Sequence, residues 1–149
     1  MIRFAVVAFA FLTGLLLPGC YINDISFGPP PRKEVEVPSS LSARVSEQIR
    51  DLEKATGLEL ALPYRITVVE AVHIDSEGVP LGVSPNNRGA AGWTEFENPI
   101  ILTFPVAEAI PIPTRVIRHE CLHAILLSNG IVGHPEQYKH LAWHWRTRR

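Results

Sequence analysis

IPIPTRVIRHECLHAILLSNG, residues 110–130, is an almost wholly apolar stretch that nevertheless carries two histidines and a glutamate within five positions. Two prolines precede its apolar run, and Asn129-Gly130 follows it. Proline before a helix and glycine after it are the usual boundary signals, so the stretch predicts a helix with Thr114 as N-cap that ends near Ser128. Apolar residues fill nearly every direction around this helix, which indicates that it is buried.

His119 and His123 lie one turn apart on the same face of the predicted helix, within about 40° of each other. Both imidazoles can therefore reach one metal ion. Glu120 lies beside that face, whereas Cys121 points to the far side and is interpreted as a small core residue rather than a ligand. Burying such polar groups without partners is costly, so the fold has to satisfy them. A metal ion does so in one step, and ordinary hydrogen bonds to core histidines are the alternative.

Residues 119–123, HECLH, resemble the HExxH signature of the zincin metallopeptidases. The resemblance covers these five residues alone. It implies that His119 and His123 bind Zn²⁺ and that Glu120 is the catalytic residue that activates a water molecule. It also implies a small α+β, zincin-like fold: a short mixed or antiparallel sheet packed on the central motif helix, with helices before and after, and an edge strand that pairs with an extended peptide substrate.

The third metal ligand is where the chain departs from well-known zincin subfamilies. The metzincin pattern would require Gly and His where this chain has Leu126 and Asn129. The thermolysin-like pattern requires a Glu on a following helix, typically later in the chain than Glu136. Neither subfamily pattern therefore supplies the ligand.

His134 is the preferred third metal ligand. The helix carries the chain about 7.5 Å beyond His123, and the residues from 129 to 134 can return about 20 Å when extended. Gly130 and Gly133 supply the turns that this return needs. Three other residues stay open as alternatives: Glu136, His140 and His144.

Helices are predicted on both sides of the motif helix. Ser39 or Ser40 begins an amphipathic pattern that ends near Gly57 with a left-handed cap. After the motif, Glu136–Thr147 predicts a last helix.

The region between the first two helices is predicted to be rich in strands. Residues 64–73 are rich in β-branched side chains and predict one strand, whereas the glycine, proline and asparagine of residues 75–92 predict a loop. Two short strands follow at residues 93–96 and 100–104, and Pro105 is expected to end the strand region. Either short strand is a candidate for the substrate-binding edge that the resemblance implies.

The N-terminus has the layout of a secretory signal: an early positive charge, an apolar stretch and a small residue before Cys20. Leu17-Pro18-Gly19-Cys20 resembles the lipobox of bacterial lipoproteins, in which the signal is cut before the cysteine and the cysteine carries the lipid. Pro18 departs from the small residue that is usual there. An ordinary signal peptide or a short anchor helix is the alternative.

The expected organisation is therefore a lipoprotein signal peptide at residues 1–19, a lipidated Cys20 with a proline-rich tether to residue 38, and a zincin-like metal-binding domain at 39–149. The lipid would hold the domain on a membrane of the bacterial cell envelope. Tyr21 follows the cysteine where an inner-membrane retention signal would place Asp, so the periplasmic face of the outer membrane is expected in a Gram-negative host.

Composition agrees with one globular domain, since 46% of the 149 residues are apolar and 19% are charged. The formal net charge is −1 and the basic residues are scattered, so the chain lacks the electrostatic footprint of a nucleic-acid-binding protein. Of the two cysteines, Cys20 is assigned to the lipid, which leaves Cys121 without an intramolecular disulfide partner.

These features favour a lipid-anchored zinc metallopeptidase that cleaves peptide or protein substrates in the envelope. One alternative is a non-catalytic zincin-like domain that binds metal for structure or interaction, and another is an immunity or inhibitor lipoprotein with an accidental motif. Glu120 favours catalysis, because a structural zinc site closes with four protein ligands and has no use for an acid beside them. Three residues remain open as donors to the oxyanion that peptide hydrolysis forms: Tyr138, His140 and Arg118.

Lipid attachment at Cys20 is testable in the bacterial host by metabolic labelling with a fatty acid. The wild type should take up label, and Cys20→Ala should take up none, because the acylated thiol is gone. Cys121→Ala is the matched control and should label like the wild type. A wild-type protein that takes up no label would contradict the lipoprotein assignment.

Overall fold

The computed structural model describes residues 33–142 and shows a mixed α+β architecture, which confirms the predicted class. The elements, in chain order, are β1 (Glu34–Val35), α1 (Ser39–Thr56), β2 (Tyr64–Glu70), β3 (His73–Ile74), β4 (Pro80–Val83), β5 (Gly89–Ala90), β6 (Trp93–Glu95), β7 (Ile100–Val106), α2 (Thr114–Ser128), a 3-10 turn (Glu136–Tyr138) and α3 (Lys139–Ala142). No helix within these residues is long and apolar enough to cross a membrane. The predicted signal peptide, Cys20, nearly all of the tether and His144 lie outside them.

The larger sheet is mixed and has the strand order β1-β2-β7-β6. Its centre is a parallel pair in which β2 and β7 match along their full length, from Tyr64 opposite Ile100 to Glu70 opposite Val106. The two edge strands, β1 and β6, are antiparallel to their neighbours. Of the two strands predicted as candidates for the substrate-binding edge, only β6 therefore lies at an edge.

Helices α1 and α2 pack on one face of this sheet and enclose the main core. Alternate residues of β7 supply its centre, and Ile100, Leu102 and Phe104 have no exposed surface because they share the face that the helices cover. Cys121 is equally buried, with its Sγ 3.9 Å from the Val45 carbonyl oxygen, so its interpretation as a core residue is confirmed. Burial raises the pKa of this thiol and keeps it protonated.

The prediction of a continuous loop over residues 75–92 is wrong, because β4 and β5 lie within it and form a second sheet with β3. Gly82 shows why the glycine content misled: a Cβ at this position would lie 2.8 Å from Cγ of Pro105, so this glycine allows close packing between strands rather than a turn. The predicted strand over residues 64–73 is likewise divided. It ends at Glu70, and His73 belongs to β3.

Pro105 does not end β7, contrary to the prediction. The amide of Ile100 donates to the Pro63 carbonyl and the Val106 carbonyl accepts from Ala71, so even-numbered residues of β7 bond to β2. Pro105 therefore faces the β6 side of the strand, where the pairing already stops at Thr103 opposite Trp93. Its missing N–H removes no sheet hydrogen bond.

The boundaries of α1 and α2 agree with the prediction to within a residue. Helix α2 begins at Thr114, but Pro113 is the N-cap, so the assignment of Thr114 as the cap is wrong by one position. The Thr114 hydroxyl instead accepts a hydrogen bond of 3.0 Å from the Arg44 guanidinium, which joins the starts of both long helices. The predicted last helix begins at Glu136 as a 3-10 turn and continues as α3 to the end of the described residues.

Gly57 ends α1 as predicted, with a φ of +71° and its amide bonded to the Glu53 carbonyl. No atom lies within 4 Å of a Cβ built there, so Gly57→Ala tests the backbone conformation alone. We expect the substitution to lower the free energy of unfolding by about 1 kcal/mol, because an L-residue is strained in the left-handed region. Urea denaturation measures the change. An increase in stability, which Gly→Ala gives at ordinary φ, would contradict the left-handed cap.

Candidate metal centre

Three histidine side chains converge beside α2. His119 and His123 lie one turn apart on the helix, with their Nε2 atoms 3.2 Å from each other. His134 approaches from the segment after the helix, and its Nε2 lies 3.3 Å from Nε2 of His119. Potential ligand atoms of all three residues lie within 4.8 Å of one another, so this group is able to hold a metal ion.

The return of the chain after α2 brings His134 to the other two histidines. Gly130 has a φ of +72°, and the next amide, that of Ile131, bonds back to the Leu126 carbonyl at 2.9 Å. Gly133, with a φ of +83°, turns the chain a second time directly before His134. Both positive φ values fall on glycines, the residues that tolerate them without strain.

His119 is the most deeply held of the three histidines, with 3% of its surface exposed. Its Nδ1 lies 3.4 Å from the Ala142 carbonyl oxygen in α3. A proton on Nδ1 points at this carbonyl, and the Nε2 lone pair is then directed at the other two rings. A backbone carbonyl on the far nitrogen is the usual support of a metal-binding imidazole.

Burial makes the uncharged form the favoured state of the three imidazoles. Desolvation is the main cause that lowers the pKa of His119, of His134 and of His123, the last to about 3. The neighbouring histidines lower the pKa values of His123 and His134 further. A metal ion binds the neutral imidazole, so the cluster needs to lose few protons before it binds at neutral pH.

Glu120 is buried beside the cluster, with 4% of its surface exposed, and is not a member of the converging group. The hydroxyl of Thr94 in β6 donates to its Oε2 at 2.8 Å. Burial raises the pKa of Glu120 to about 7, and the hydrogen bond from Thr94 opposes the rise. The carboxyl group therefore titrates near neutral pH instead of near pH 4.

The alternative ligands that lie within the described residues are placed elsewhere. Glu136 is exposed and pairs with Lys139, and His140 is exposed on α3; neither is a member of the converging group. Arg118, one of the candidate oxyanion donors, bonds to the Leu141 carbonyl at 2.6 Å and to Gln48 at 3.0 Å. Its guanidinium joins α1, α2 and α3, which is a structural role.

The sequence did not predict two contacts of the site. The Thr94 hydroxyl donates to the Glu120 carboxylate, and the Ala142 carbonyl oxygen lies next to Nδ1 of His119. No local pattern marks either of them. Thr94 lies 26 positions before Glu120, and Ala142 lies 23 positions after His119. Only the packing of β6 and α3 against α2 brings them to the motif.

Comparison of the chain with protein-family models, curated protein sequences and solved structures gave no match. The chemistry open to the site therefore follows from its own groups. These are three uncharged imidazoles that converge, a buried carboxyl group that titrates near pH 7, and a sheet edge beside them.

His134→Ala tests the ligand set. Removing one of three ligands should weaken zinc affinity by more than about a hundredfold, since loss of even a supporting partner costs about 10- to 100-fold. Competition with a fluorescent chelator measures the affinity. Zinc at about one hundred times its dissociation constant should also raise the melting temperature of the wild type by about 10 °C.

His140→Ala is the matched control, because His140 is an exposed histidine six residues later that lies outside the group. It should keep the wild-type affinity and the thermal shift. Equal zinc affinity in wild type and His134→Ala would remove His134 from the site.

Proposed function

We propose that the chain is a zinc-dependent metallopeptidase of the zincin type. His119, His123 and His134 hold the metal, and Glu120 is the general base. The observation that carries the proposal is the convergence of two histidines of α2 with His134 from the following segment, beside the buried carboxyl group of Glu120.

The spacing of the imidazole nitrogens supports zinc as the metal. Nε2 of His119 lies 3.2 Å from that of His123 and 3.3 Å from that of His134. Zn–N bonds of about 2.0–2.1 Å in tetrahedral geometry separate two ligand nitrogens by about 3.3–3.4 Å. Three protein ligands with one open position are typical of catalytic zinc, whereas structural sites use four. When bound, such a zinc ion acts as a Lewis acid that lowers the pKa of a water at its open position towards about 7.

Glu120 supplies the acid-base chemistry in this proposal. Burial raises the pKa of the Glu120 carboxyl group to about 7, and the positive charge of a zinc ion beside it would lower this pKa and favour the carboxylate that acts as the base. The carboxylate takes a proton from the attacking water, and the resulting carboxylic acid delivers it to the nitrogen of the departing amine. The water oxygen forms a bond to the peptide carbonyl carbon, the C–N bond breaks, and a new carboxyl group and a free amine are the products.

Strand β6 supports a peptide as the substrate. Odd-numbered residues of β7 face β6, so its pairs with Trp93 and Glu95 are the hydrogen-bonded ones. The backbone N–H and C=O of Thr94 consequently point away from β7, towards the open edge of the sheet. An extended peptide that adds to this edge would lie close to Glu120, which Thr94 contacts.

The proposal also includes the lipid anchor, which is expected from the residues up to Cys20. A domain tethered in this way would act on peptide or protein substrates at a membrane of the bacterial cell envelope. A peptidase at that position meets both secreted and membrane-bound chains.

Glu120→Gln separates catalysis from metal binding. Glutamine keeps the size of the side chain and accepts from Thr94, but it cannot take a proton, so the rate of peptide cleavage should fall by about two to four orders of magnitude. Zinc content and melting temperature should stay close to those of the wild type, because Glu120 is not a ligand. A digest of a broad peptide library, with zinc content and melting temperature measured on each sample, is the experiment.

Two sets of variants complete the test. Glu136→Gln makes the same exchange at an exposed position and should cleave like the wild type. His119→Ala and His123→Ala should lose zinc and the stability that it adds. If the zinc-loaded wild type cleaves nothing, or no faster than Glu120→Gln, the domain binds metal without catalysing hydrolysis.

A further inference from the structure

We propose that Thr94 of strand β6 is a positioning residue that holds the Glu120 carboxylate for proton transfer. The inference rests on the proposed function and extends it, because it assigns a role to a residue outside the motif helix.

The Thr94 hydroxyl binds Glu120 at two places. Its Oγ1 lies 2.8 Å from Oε2 of the side chain and 3.2 Å from the main-chain carbonyl oxygen of the same residue. The hydroxyl proton is thus shared between the carboxylate and the helix backbone that carries it. Glu120 has only 4% of its surface exposed, so little water competes for this bond. The contact therefore restricts where the carboxylate lies relative to α2.

Gly92 packs against the Glu120 side chain next to the contact that Thr94 makes. A Cβ at position 92 would lie 3.0 Å from Cγ of Glu120, 3.3 Å from Val116 and 3.4 Å from Phe104. The backbone before β6 therefore packs directly against the aliphatic part of Glu120. A glycine at this position and a hydroxyl two residues later together limit the side chain to few rotamers.

Thr94 also connects the base to the edge where the substrate is proposed to bind. Its hydroxyl contacts Glu120, and its backbone N–H and C=O point to the open edge of β6. Removing the hydroxyl alters the position of the base and leaves the backbone edge in place. The expected effect is therefore on kcat and not on KM.

Thr94→Val tests this role, because valine has nearly the shape of threonine and lacks the hydroxyl. We expect kcat to fall by about tenfold to a hundredfold, since the carboxylate loses a hydrogen bond to a charged group and with it a fixed position. KM, zinc content and chelator-competition affinity should remain those of the wild type. Thr94→Ser keeps the hydroxyl and should restore most of kcat.

Two further variants guard against a merely structural effect. Thr67→Val makes the same change in β2, which β7 separates from β6, and should leave kcat unchanged. Gly92→Ala keeps the hydroxyl but pushes a methyl group against Glu120, so it should lower kcat as Thr94→Val does. Melting temperatures of all variants verify that each is folded.

A second readout uses metal-free protein labelled with ¹³C at the glutamate Cδ. The Glu120 carboxyl resonance, assigned by its loss in Glu120→Gln, should shift in Thr94→Val and in Gly92→Ala. It should stay in place in Thr94→Ser and in Thr67→Val. This measurement needs neither zinc nor activity.

The failure of this inference is distinct from the failure of the proposed function. An active wild type whose kcat and Glu120 resonance are unchanged by Thr94→Val would overturn the positioning role. A wild type that cleaves no peptide, with a resonance that shifts only when the hydroxyl or Gly92 is replaced, would support the placement of the carboxylate by Thr94 and overturn the peptidase.

Discussion

Polar groups on a buried helix have to be satisfied where water does not reach them, and helix α2 carries three such groups on neighbouring turns. Three parts of the chain outside α2 provide the partners for these polar groups. The carbonyl of Ala142 in α3 faces His119, Thr94 in β6 donates to Glu120, and His134 arrives from the segment after the helix. Each contact places one more part of the chain around the motif, so the site and the packing of α2 depend on the same interactions.

Local patterns were enough to predict the motif, the helices and the turn back to His134. An i,i+4 histidine pair is a property of α2 alone, and Gly130 and Gly133 are marked by their residue type. The small strand β4 was not predictable in this way, because Pro105 approaches its Gly82 closely and this glycine does not form a turn. The hydrogen bond from the Thr94 hydroxyl to Glu120 depends on how β6 packs against α2, and no local sequence pattern encodes that packing.

The parallel pair β2-β7 explains why β6 is the strand beside the motif. Since β7 bonds to β2 on one side through its full length, only its other side is open to a partner, and β6 follows the first half of that side. Pro105 has no N–H to donate on the β6 side, so pairing on that side does not continue although the strand itself does. The edge next to α2 is therefore short, and Thr94 is the central residue of the three that form it.

The residues of the site differ in how deeply they are buried, and this difference determines which part of the fold a bound metal ion would stabilise. His119 and Glu120 are almost fully buried, whereas His134 is half-buried on a short segment between two glycine turns and a 3-10 turn. Segments with few buried contacts open at lower free energy than the core does. A metal ion bound by all three histidines would hold this segment against α2, so its binding free energy would stabilise the C-terminal part of the domain more than the sheet, whose core is already complete without it.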